Sequence, residues 1–179
     1  MEEAIDLNGF IRLVIKRSFR WVLDGCDGLT VEQLRYQPAP ESNCITWLVW
    51  YSSRVKDQVT TKIVGEREVW ITGGWAERFG MGPDTTGVGD SAKQVAGLLV
   101  SRDLLFGYAG AAHFATIERL STITPAQFSQ PVQYVTGDTR PAWQAIRGML
   151  GGFFLTRRSG GLPPWHDHRT WLEPRIGLR

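Results

Sequence analysis

The sequence predicts an all-α protein, a four-helix bundle with a long lid loop between its second and third helices. Four segments repeat apolar residues at steps of three and four, a spacing that places them on one face of a helix. They cover residues 4–23, 44–64, 101–121 and a stretch that begins at Pro141. One connection, 66–90, is rich in glycine and lacks a sustained period, which is typical of a functional loop. Four long helices with short outer connections are the pattern of a bundle.

The second helix is the segment around which the predicted core is arranged. Its main stripe contains Ile45, Leu48, Val49, Ser52, Val55, Val59 and Ile63. The opposite face carries Trp47, Trp50, Arg54 and Asp57. Two tryptophans are too much apolar surface to leave in water, so this face is also expected to be covered. Asn43 is expected to cap the first turn. Arg54 and Asp57, three residues apart, are expected to form a weak surface pair beneath the lid. Tyr51 lies on the shoulder of the core stripe, close to Val55.

Shorter elements follow from capping signals. They predict short helices that begin near Thr30, Ser91 and Thr124. The first is a capping box with Gln33 and ends near Arg35, and the third has proline at its first helical position. A short extended piece is expected within 130–136, where apolar and other residues alternate.

The third helix has two apolar faces. One contains Leu104, Tyr108, Ala111, Ala112 and Ala115, and the other contains Phe106, Ala109, His113 and Ile117. Such a helix is central in a fold or lies at an interface, so a homodimer is expected. The domain is expected to span 1–158, followed by a Pro- and Arg-rich C-terminal tail over 159–179.

The bulk properties favour one domain and exclude several function classes. A chain of 179 residues can bury a core without staples, and its two cysteines indicate neither a disulfide framework nor a zinc knuckle. A net charge of +2 gives no reason to expect a nucleic-acid partner. No apolar run is long enough for a membrane span and no signal-type segment follows the first residues, so no membrane partner and a cytoplasmic location are expected. Eight tryptophans indicate aromatic-lined surfaces.

Three stretches resemble one known family. The sequence 43–57, Val69-Trp70 and the run 73–81 (Gly-Gly-Trp-Ala-Glu-Arg-Phe-Gly-Met) are similar to the DinB-like superfamily of metalloenzymes. The resemblance is to its actinobacterial branch, akin to mycothiol-dependent maleylpyruvate isomerases and mycothiol S-transferases. It covers about 7–123 well, the fourth helix poorly and the tail not at all.

The resemblance implies a bundle with a divalent metal at one end. The family's usual ligands are a histidine on helix two and, on helix four, a carboxylate or histidine four residues before another histidine. Residues four apart share a helix face, and the open coordination positions would take water or a thiolate. Here the corresponding positions are Tyr51, Ala145 and Met149, so the resemblance also predicts that this chain lacks the family's metal site and needs no cofactor.

Two histidine-containing features remain as candidates. His113 is expected to be a packed histidine, and the alternative pairs it with Tyr51 or Asp57 in a polar pocket, where it could act as a base. His166-Asp167-His168 is expected to be part of a solvated tail, because two histidines from one segment need a third fixed ligand to hold a metal.

The sequence therefore predicts a small-ligand-binding or interaction protein. An apolar pocket for a small ligand is expected from Tyr51, Val55, Trp70, Trp75, His113 and Met149. The alternative is an enzyme, a mycothiol-type thiol transferase or isomerase whose zinc or nickel is held by an altered set such as His113, Asp57 and a tail histidine. Which residues would be catalytic stays open.

Overall fold

The computed structural model describes residues 6–151, which are mostly helical. The long helices are α1 (Leu7–Cys26), α3 (Ile45–Val64), α7 (Arg102–Ser121) and the ten-residue α9 (Ala142–Gly151). The short helices are α2 (Val31–Arg35), α4 (Val69–Thr72), α5 (Trp75–Arg78), α6 (Ala92–Gly97) and α8 (Pro125–Ser129). Strands β1 (Pro131–Gln133) and β2 (Thr139–Pro141) pair antiparallel, with Val132 opposite Arg140. None of the described helices is both long and apolar enough to cross a membrane.

Side-chain hydrogen bonds fix the direction in which α1 and α7 run. The Asn8 amide near the start of α1 donates to the Ile123 carbonyl just beyond α7, at 3.0 Å. At the other end, the Arg102 guanidinium at the start of α7 donates to the carbonyls of Leu29 and Cys26. The two helices are therefore antiparallel.

Helix α3 runs parallel to α7 and antiparallel to α9. Tyr108 contacts Arg54 in the middle of α3, and Arg119, further along α7, contacts Thr60. The start of α9 lies at the end of α3, because Gln130 bonds both the Ile63 carbonyl and the Ala142 N–H. Helix α3 is buried on nearly all sides, since it lies between these neighbours and the segment that follows it.

Two apolar clusters form the core. The first gathers the end of α1, the start of α3 and the start of α7, with the aromatic rings of Trp47, Trp50, Trp70, Phe79 and Tyr108. The second gathers the other end and includes Ile15, Val59, Leu120, Ile146 and Met149. Tyr51 packs against both clusters, so it lies where they meet.

The segment 65–101 connects the parallel helices α3 and α7, so it must return along the whole length of α3. The prediction that 66–90 lacks structure was wrong in part, because α4 and α5 form within it. Trp70 is fully buried and its indole N–H donates to the Gly82 carbonyl. The Arg54 guanidinium donates to the Thr85 carbonyl at 3.0 Å. Buried anchors of this kind hold a long connection in one conformation, although much of its sequence has no period.

The capping box predicted at Thr30 is present, and capping boxes also begin the short helices predicted near Ser91 and Thr124. The predicted cap of α3 was wrong, because Cys44 occupies the N-cap position and its side chain makes no capping bond. The end of α1 was also wrong: this helix continues past Asp24 to Cys26, whose side chain is buried in the first cluster. Proline 141 ends β2, and α9 begins one residue later than predicted.

Both apolar faces of α7 are covered within one chain. One face packs on α3, and His113 on the other face stacks on Phe19 of α1 with ring centroids 4.1 Å apart. The two faces therefore have an intramolecular explanation, and the expected homodimer stays a prediction. The tail 159–179 lies outside the described residues.

Candidate functional site

One carboxylate at the centre of the fold receives hydrogen bonds from three directions. Oδ1 of Asp57 accepts from Nη1 of Arg119 at 2.9 Å and from the N–H of Val69 at 3.0 Å. Oδ2 accepts from the N–H of Trp70 at 2.8 Å and from the Tyr108 hydroxyl at 3.4 Å. Asp57 is fully buried, so these contacts replace the water that a free carboxylate would bind. Through these hydrogen bonds Asp57 connects its own helix, α3, to α4 and α7.

The two arginines of this network carry further partners. Arg54 lies 3.8 Å from Asp57 and donates to Oε2 of Glu68 at 2.7 Å. Arg119 donates to Oε2 of Glu66 at 3.0 Å and to the Arg67 carbonyl. The prediction of a weak Arg54–Asp57 surface pair was wrong, because both side chains are fully buried. The spacing along the helix predicts that Arg54 and Asp57 are neighbours. Their burial results from the segment 65–101, which folds over them.

This network is a poor candidate for chemistry. The Asp57 carboxylate is saturated with donors, and the Tyr108 hydroxyl beside it is held protonated because burial raises its pKa far above the ordinary value. The arrangement positions α4 and the start of the connecting segment, with the Arg54 guanidinium 4.7 Å from the Trp70 ring centre. It leaves Asp57 with no free oxygen lone pair of good geometry to offer a metal.

The Tyr51 side chain occupies a different position, at the junction of the two core clusters. Its ring stacks on Trp47 with centroids 4.6 Å apart and planes 9° apart. The Trp47 indole N–H donates to Oδ2 of Asp90 at 2.8 Å, so the connecting segment is fastened above it. Burial, and then the Asp90 carboxylate, raises the pKa of Tyr51. The hydroxyl is therefore a protonated donor at neutral pH.

Gly87 brings the connecting segment against this ring pair. Its φ is +78°, and a Cβ there would lie 2.7 Å from Cζ3 of Trp50 and 2.9 Å from Cδ2 of Tyr51. Any side chain at this position would collide with the aromatic face of α3. Glycine is thus required both by conformation and by close approach.

Tyr134 packs against the same apolar cluster as Tyr51. It follows β1, and its hydroxyl would be 2.8 Å from a Cβ at Gly148 of α9, so that glycine lets the ring lie against the helix. Burial, and then Tyr51, raises the pKa of Tyr134. Neither tyrosine hydroxyl is hydrogen-bonded to another group of residues 6–151, and both side chains are half-buried, so neither hydroxyl is sealed from solvent. Two protonated, unpaired phenol groups therefore lie near each other between α3 and α9.

The floor of this site is apolar. Val55 of α3 and Met149 of α9 are buried in the second cluster, against which Tyr51 and Tyr134 also pack. Ala145 is fully buried in the same cluster. We call the group Tyr51, Val55, Tyr134, Ala145 and Met149 the two-tyrosine site.

The six residues predicted to line one pocket are distributed over three places. Tyr51, Val55 and Met149 come together in the two-tyrosine site, whereas Trp70 and Trp75 pack in the first cluster beside Tyr108. His113 lies elsewhere, stacked on Phe19. Only Tyr51 contacts both clusters. The structure therefore divides the predicted set instead of arranging it around one ligand.

The surroundings of His113 agree with a packed histidine. Its side chain is 5% exposed, and burial, followed by the charges of Lys56 and Lys16, lowers its pKa to about 4. Burial also lowers the pKa of Lys56 to about 8. Nδ1 of His113 has no hydrogen-bond partner within the described chain. The structure does not pair His113 with Asp57, whose carboxylate is bound by Arg119 on the side of α4.

The three residues that the resemblance aligns with metal ligands belong to the second cluster or pack against it, and their chemistry does not fit a metal. Tyr51, Ala145 and Met149 offer a protonated phenol, a methyl group and a thioether within an apolar cluster. Nowhere in residues 6–151 are three His, Cys, Asp or Glu side chains grouped so that they could hold a metal ion. His166 and His168 lie outside the described residues.

Sequence reasoning missed Tyr134, Asp90 and Arg119. The alternation around Tyr134 predicted a strand but gave no sign that the ring turns towards α9. Asp90 and Arg119 act through partners 43 and 62 residues away, and no local spacing reveals such pairs. The glycine at position 148, next to predicted core residues, is the one signal that could have indicated a close neighbour of α9.

Comparisons with known proteins bear on the fold. No protein-family model and no curated protein matches the chain. The crystal structure of a conserved protein from Enterococcus faecalis is similar, with a TM-score of 0.71 and 21% sequence identity. The match covers 84% of this chain and 92% of that one. Similarity at this identity shows a shared fold.

Proposed function

We propose that this chain is a DinB-like four-helix bundle that has lost the family's metal site and binds a small, uncharged, flat ligand at the two-tyrosine site. The observation that carries the proposal is the pair of unpartnered, protonated hydroxyls of Tyr51 and Tyr134 above an apolar floor. In this proposal residues 66–90 of the connecting segment are the lid. Asp90 holds the lid through the Trp47 indole, and Gly87 lets it lie against Trp50 and Tyr51.

The chemistry of the site selects the ligand class. Phenol groups with raised pKa values donate hydrogen bonds at neutral pH, so they suit a carbonyl or ether oxygen. A charged ligand over the apolar Val55 and Met149 would be costly to bury, because the nearby Arg140 guanidinium is already paired with Asp138. The ring of Tyr51 and the thioether of Met149 suit a flat apolar body, because aromatic and thioether groups stack on such surfaces. Aromatic ketones and quinones meet all three conditions.

The same site argues against the family's thiol transfer as the function. A thiol-dependent transferase needs a metal or another cation to stabilise the thiolate. The Arg140 guanidinium lies 4.0 Å from the centre of the Tyr134 ring, but it is already paired with Asp138. The free, buried thiols of Cys26 and Cys44 favour a reducing compartment, so the proposal includes a cytoplasmic location. Pairing of two copies stays part of the proposal and is measured by sedimentation equilibrium.

The test combines metal analysis with ligand binding. Untagged full-length protein is expected to contain less than stoichiometric zinc and nickel, and to bind at least one uncharged aromatic ketone or quinone with quenching of tryptophan fluorescence. Tyr51→Phe and Tyr134→Phe should each weaken that binding by about three- to tenfold, since each removes one hydrogen bond. Tyr36→Phe, at an exposed position on the end of α2, is the matched control.

Two results would contradict the proposal. One is stoichiometric metal that is retained through dialysis against a chelator. The other is equal binding by wild type and the Tyr51→Phe, Tyr134→Phe double variant, which would place the ligand elsewhere.

A further inference from the structure

The outward face of α1 is unusual for a surface helix. Helices on protein surfaces normally expose polar residues, yet this face exposes large apolar ones. These are Leu7, Phe10, Leu13, Trp21 and Leu23, between 41% and 59% exposed. The buried side of the same helix holds Ile11, Ile15 and Cys26, so α1 is fixed to the fold while its outer side stays apolar.

The same face carries a concentration of positive charge. Arg12, Lys16, Arg17 and Arg20 are all exposed, and no acidic residue occurs between Leu7 and Leu23. Within residues 6–151, none of the four takes part in an ion pair. The chain as a whole has a net charge of +2, so the balance of charge conceals a strongly basic strip.

Apolar and basic side chains are interspersed over the exposed face. At 100° per residue, Phe10, Leu13 and Trp21 share one side of it with Arg17, and Arg12, Lys16 and Arg20 share the other with Leu23. The Arg17 guanidinium lies 5.4 Å from the centre of the Trp21 ring. A helix of 20 residues is about 30 Å long, so the whole strip can lie flat on a surface.

We propose that α1 docks this protein on an anionic lipid bilayer, with its apolar side chains inserted among the headgroups. A basic helix with exposed Phe, Trp and Leu is the composition of helices that lie in the membrane interface. Anionic headgroups complement the four cations, and the acyl boundary accepts Leu7, Phe10 and Leu13. The expectation of no membrane partner rested on the absence of a span and of a signal-type segment, and neither feature reports on one face of one helix.

Other occupants fit the strip less well. A second copy related by a two-fold axis over α1 would set the basic strip that contains Lys16 and Arg20 against the same strip of its partner, so like charges would oppose each other. The chain's own segment 157–179 carries five arginines against Asp167 and Glu173, so its charge does not complement that of α1. A nucleic acid would satisfy the cations but would leave the apolar side chains unpaired.

The test is binding of the full chain to lipid vesicles, measured by co-sedimentation. Wild type should bind vesicles that contain phosphatidylglycerol, bind pure phosphatidylcholine weakly, and release as salt is raised. A triple variant that carries Arg12→Gln, Lys16→Gln and Arg20→Gln tests the charges. Its partition coefficient should be about 100-fold lower, at roughly fivefold per charge removed. Phe10→Gln with Leu13→Gln should lower it at least tenfold without changing charge. Lys62→Gln with Lys93→Gln and Arg147→Gln, exposed positions on other elements, is the matched control and should bind like wild type.

Every outcome decides the proposal, provided that circular dichroism melting shows each variant to be folded. Loss in both α1 variants with retention in the control supports it. Failure of wild type to bind anionic vesicles overturns it, as does equal loss in the control. Retention by the Phe10, Leu13 variant overturns insertion. Binding of wild type to duplex DNA or RNA but not to vesicles, or dissociation of a dimer by the Phe10, Leu13 variant, would assign the face to those partners instead.

Discussion

Asp57 of α3 and Arg119 of α7 form an ion pair of 2.9 Å in which both side chains are buried. The same carboxylate accepts hydrogen bonds from the N–H groups of Val69 and Trp70, so it holds the start of α4 against α3 and α7. One buried charge thereby determines how the connecting segment leaves α3. The two-tyrosine site depends on this, since the segment that begins at α4 later covers Tyr51.

We expect Asp57→Asn to destabilise the fold by about 3–5 kcal/mol. The amide keeps the volume of the side chain but leaves Arg119 and Arg54 without their buried counter-charge. The measurement is urea unfolding followed by far-UV circular dichroism, with linear extrapolation to water. Asp138→Asn, in an exposed ion pair with Arg140, is the control and should leave the free energy of unfolding unchanged. Equal effects of the two substitutions would show that the Asp57 network contributes no more than a surface pair.

Capping motifs and apolar periodicity predicted much of the helical framework. They could not show which residues far apart in the sequence contact each other. The capping boxes at Thr30 and Ser91 depend on residues three apart, so the sequence displays them directly. The periodicity of α3 predicted both of its buried faces, including the tryptophans. It could not show that Arg54 and Asp57 are buried, because spacing along a helix does not say what covers it. Helix α4 covers these two side chains, and the bonds that hold it there join Asp57 to residues 12 and 13 positions further along the chain.

The depressed pKa of His113 makes stability depend on pH. In the folded chain the pKa is about 4, against an ordinary value near 6.5, because burial and the charges of Lys56 and Lys16 disfavour the imidazolium. The unfolded chain therefore binds more protons between these values. The resulting stability is fully present above about pH 6.5 and is lost as pH falls through 4. We expect wild type to lose on the order of 2 kcal/mol more than His113→Phe across this range.

The measurement is the free energy of urea unfolding at half-unit steps from pH 4 to 7 in both proteins. Carboxylates titrate in the same range, so the difference between the two curves isolates the histidine. Parallel curves would contradict the depressed pKa. The signal from His113 in a proton NMR titration, assigned by its loss in His113→Phe, gives the folded value independently.

Gly87→Ala should be more damaging than Gly89→Ala. Both glycines have positive φ, so each substitution carries a backbone cost of about 1 kcal/mol. At Gly89 a Cβ would meet nothing within 4 Å, whereas at Gly87 it would strike Trp50 and Tyr51. We expect an additional loss of about 1–3 kcal/mol at Gly87 and a change in tryptophan fluorescence, because the connecting segment must move away from α3. Similar effects at the two positions would mean that the connecting segment does not press on Tyr51.

The two-tyrosine site was only half visible in the sequence. Tyr51 and Met149 were singled out because the predicted resemblance aligns them with the ligand positions of the DinB-like family. Trp70 and Trp75 were grouped with them because both are aromatic and near the lid, but their rings pack on Tyr108 in the other cluster. Tyr134 reaches the site across the β1–β2 turn and against Gly148, a tertiary contact that no period encodes.

If the proposed DinB-like alignment is right, placing the family's ligands at Tyr51, Ala145 and Met149 should create a metal site. The triple variant Tyr51→His, Ala145→Glu, Met149→His places a carboxylate and a histidine four residues apart on α9, facing a histidine on α3. If α3 and α9 keep their positions, these groups can bind zinc with an open fourth position. Zinc at 100 times its dissociation constant would then stabilise the variant by about 2.7 kcal/mol, which a thermal melt with and without chelator detects. The matched variant Tyr51→Phe, Ala145→Glu, Met149→His lacks one ligand and should respond far less. A triple variant that is folded, as judged by circular dichroism, but indifferent to zinc would show that Tyr51, Ala145 and Met149 do not occupy the family's ligand positions, and the DinB-like alignment of α9 would have to be abandoned.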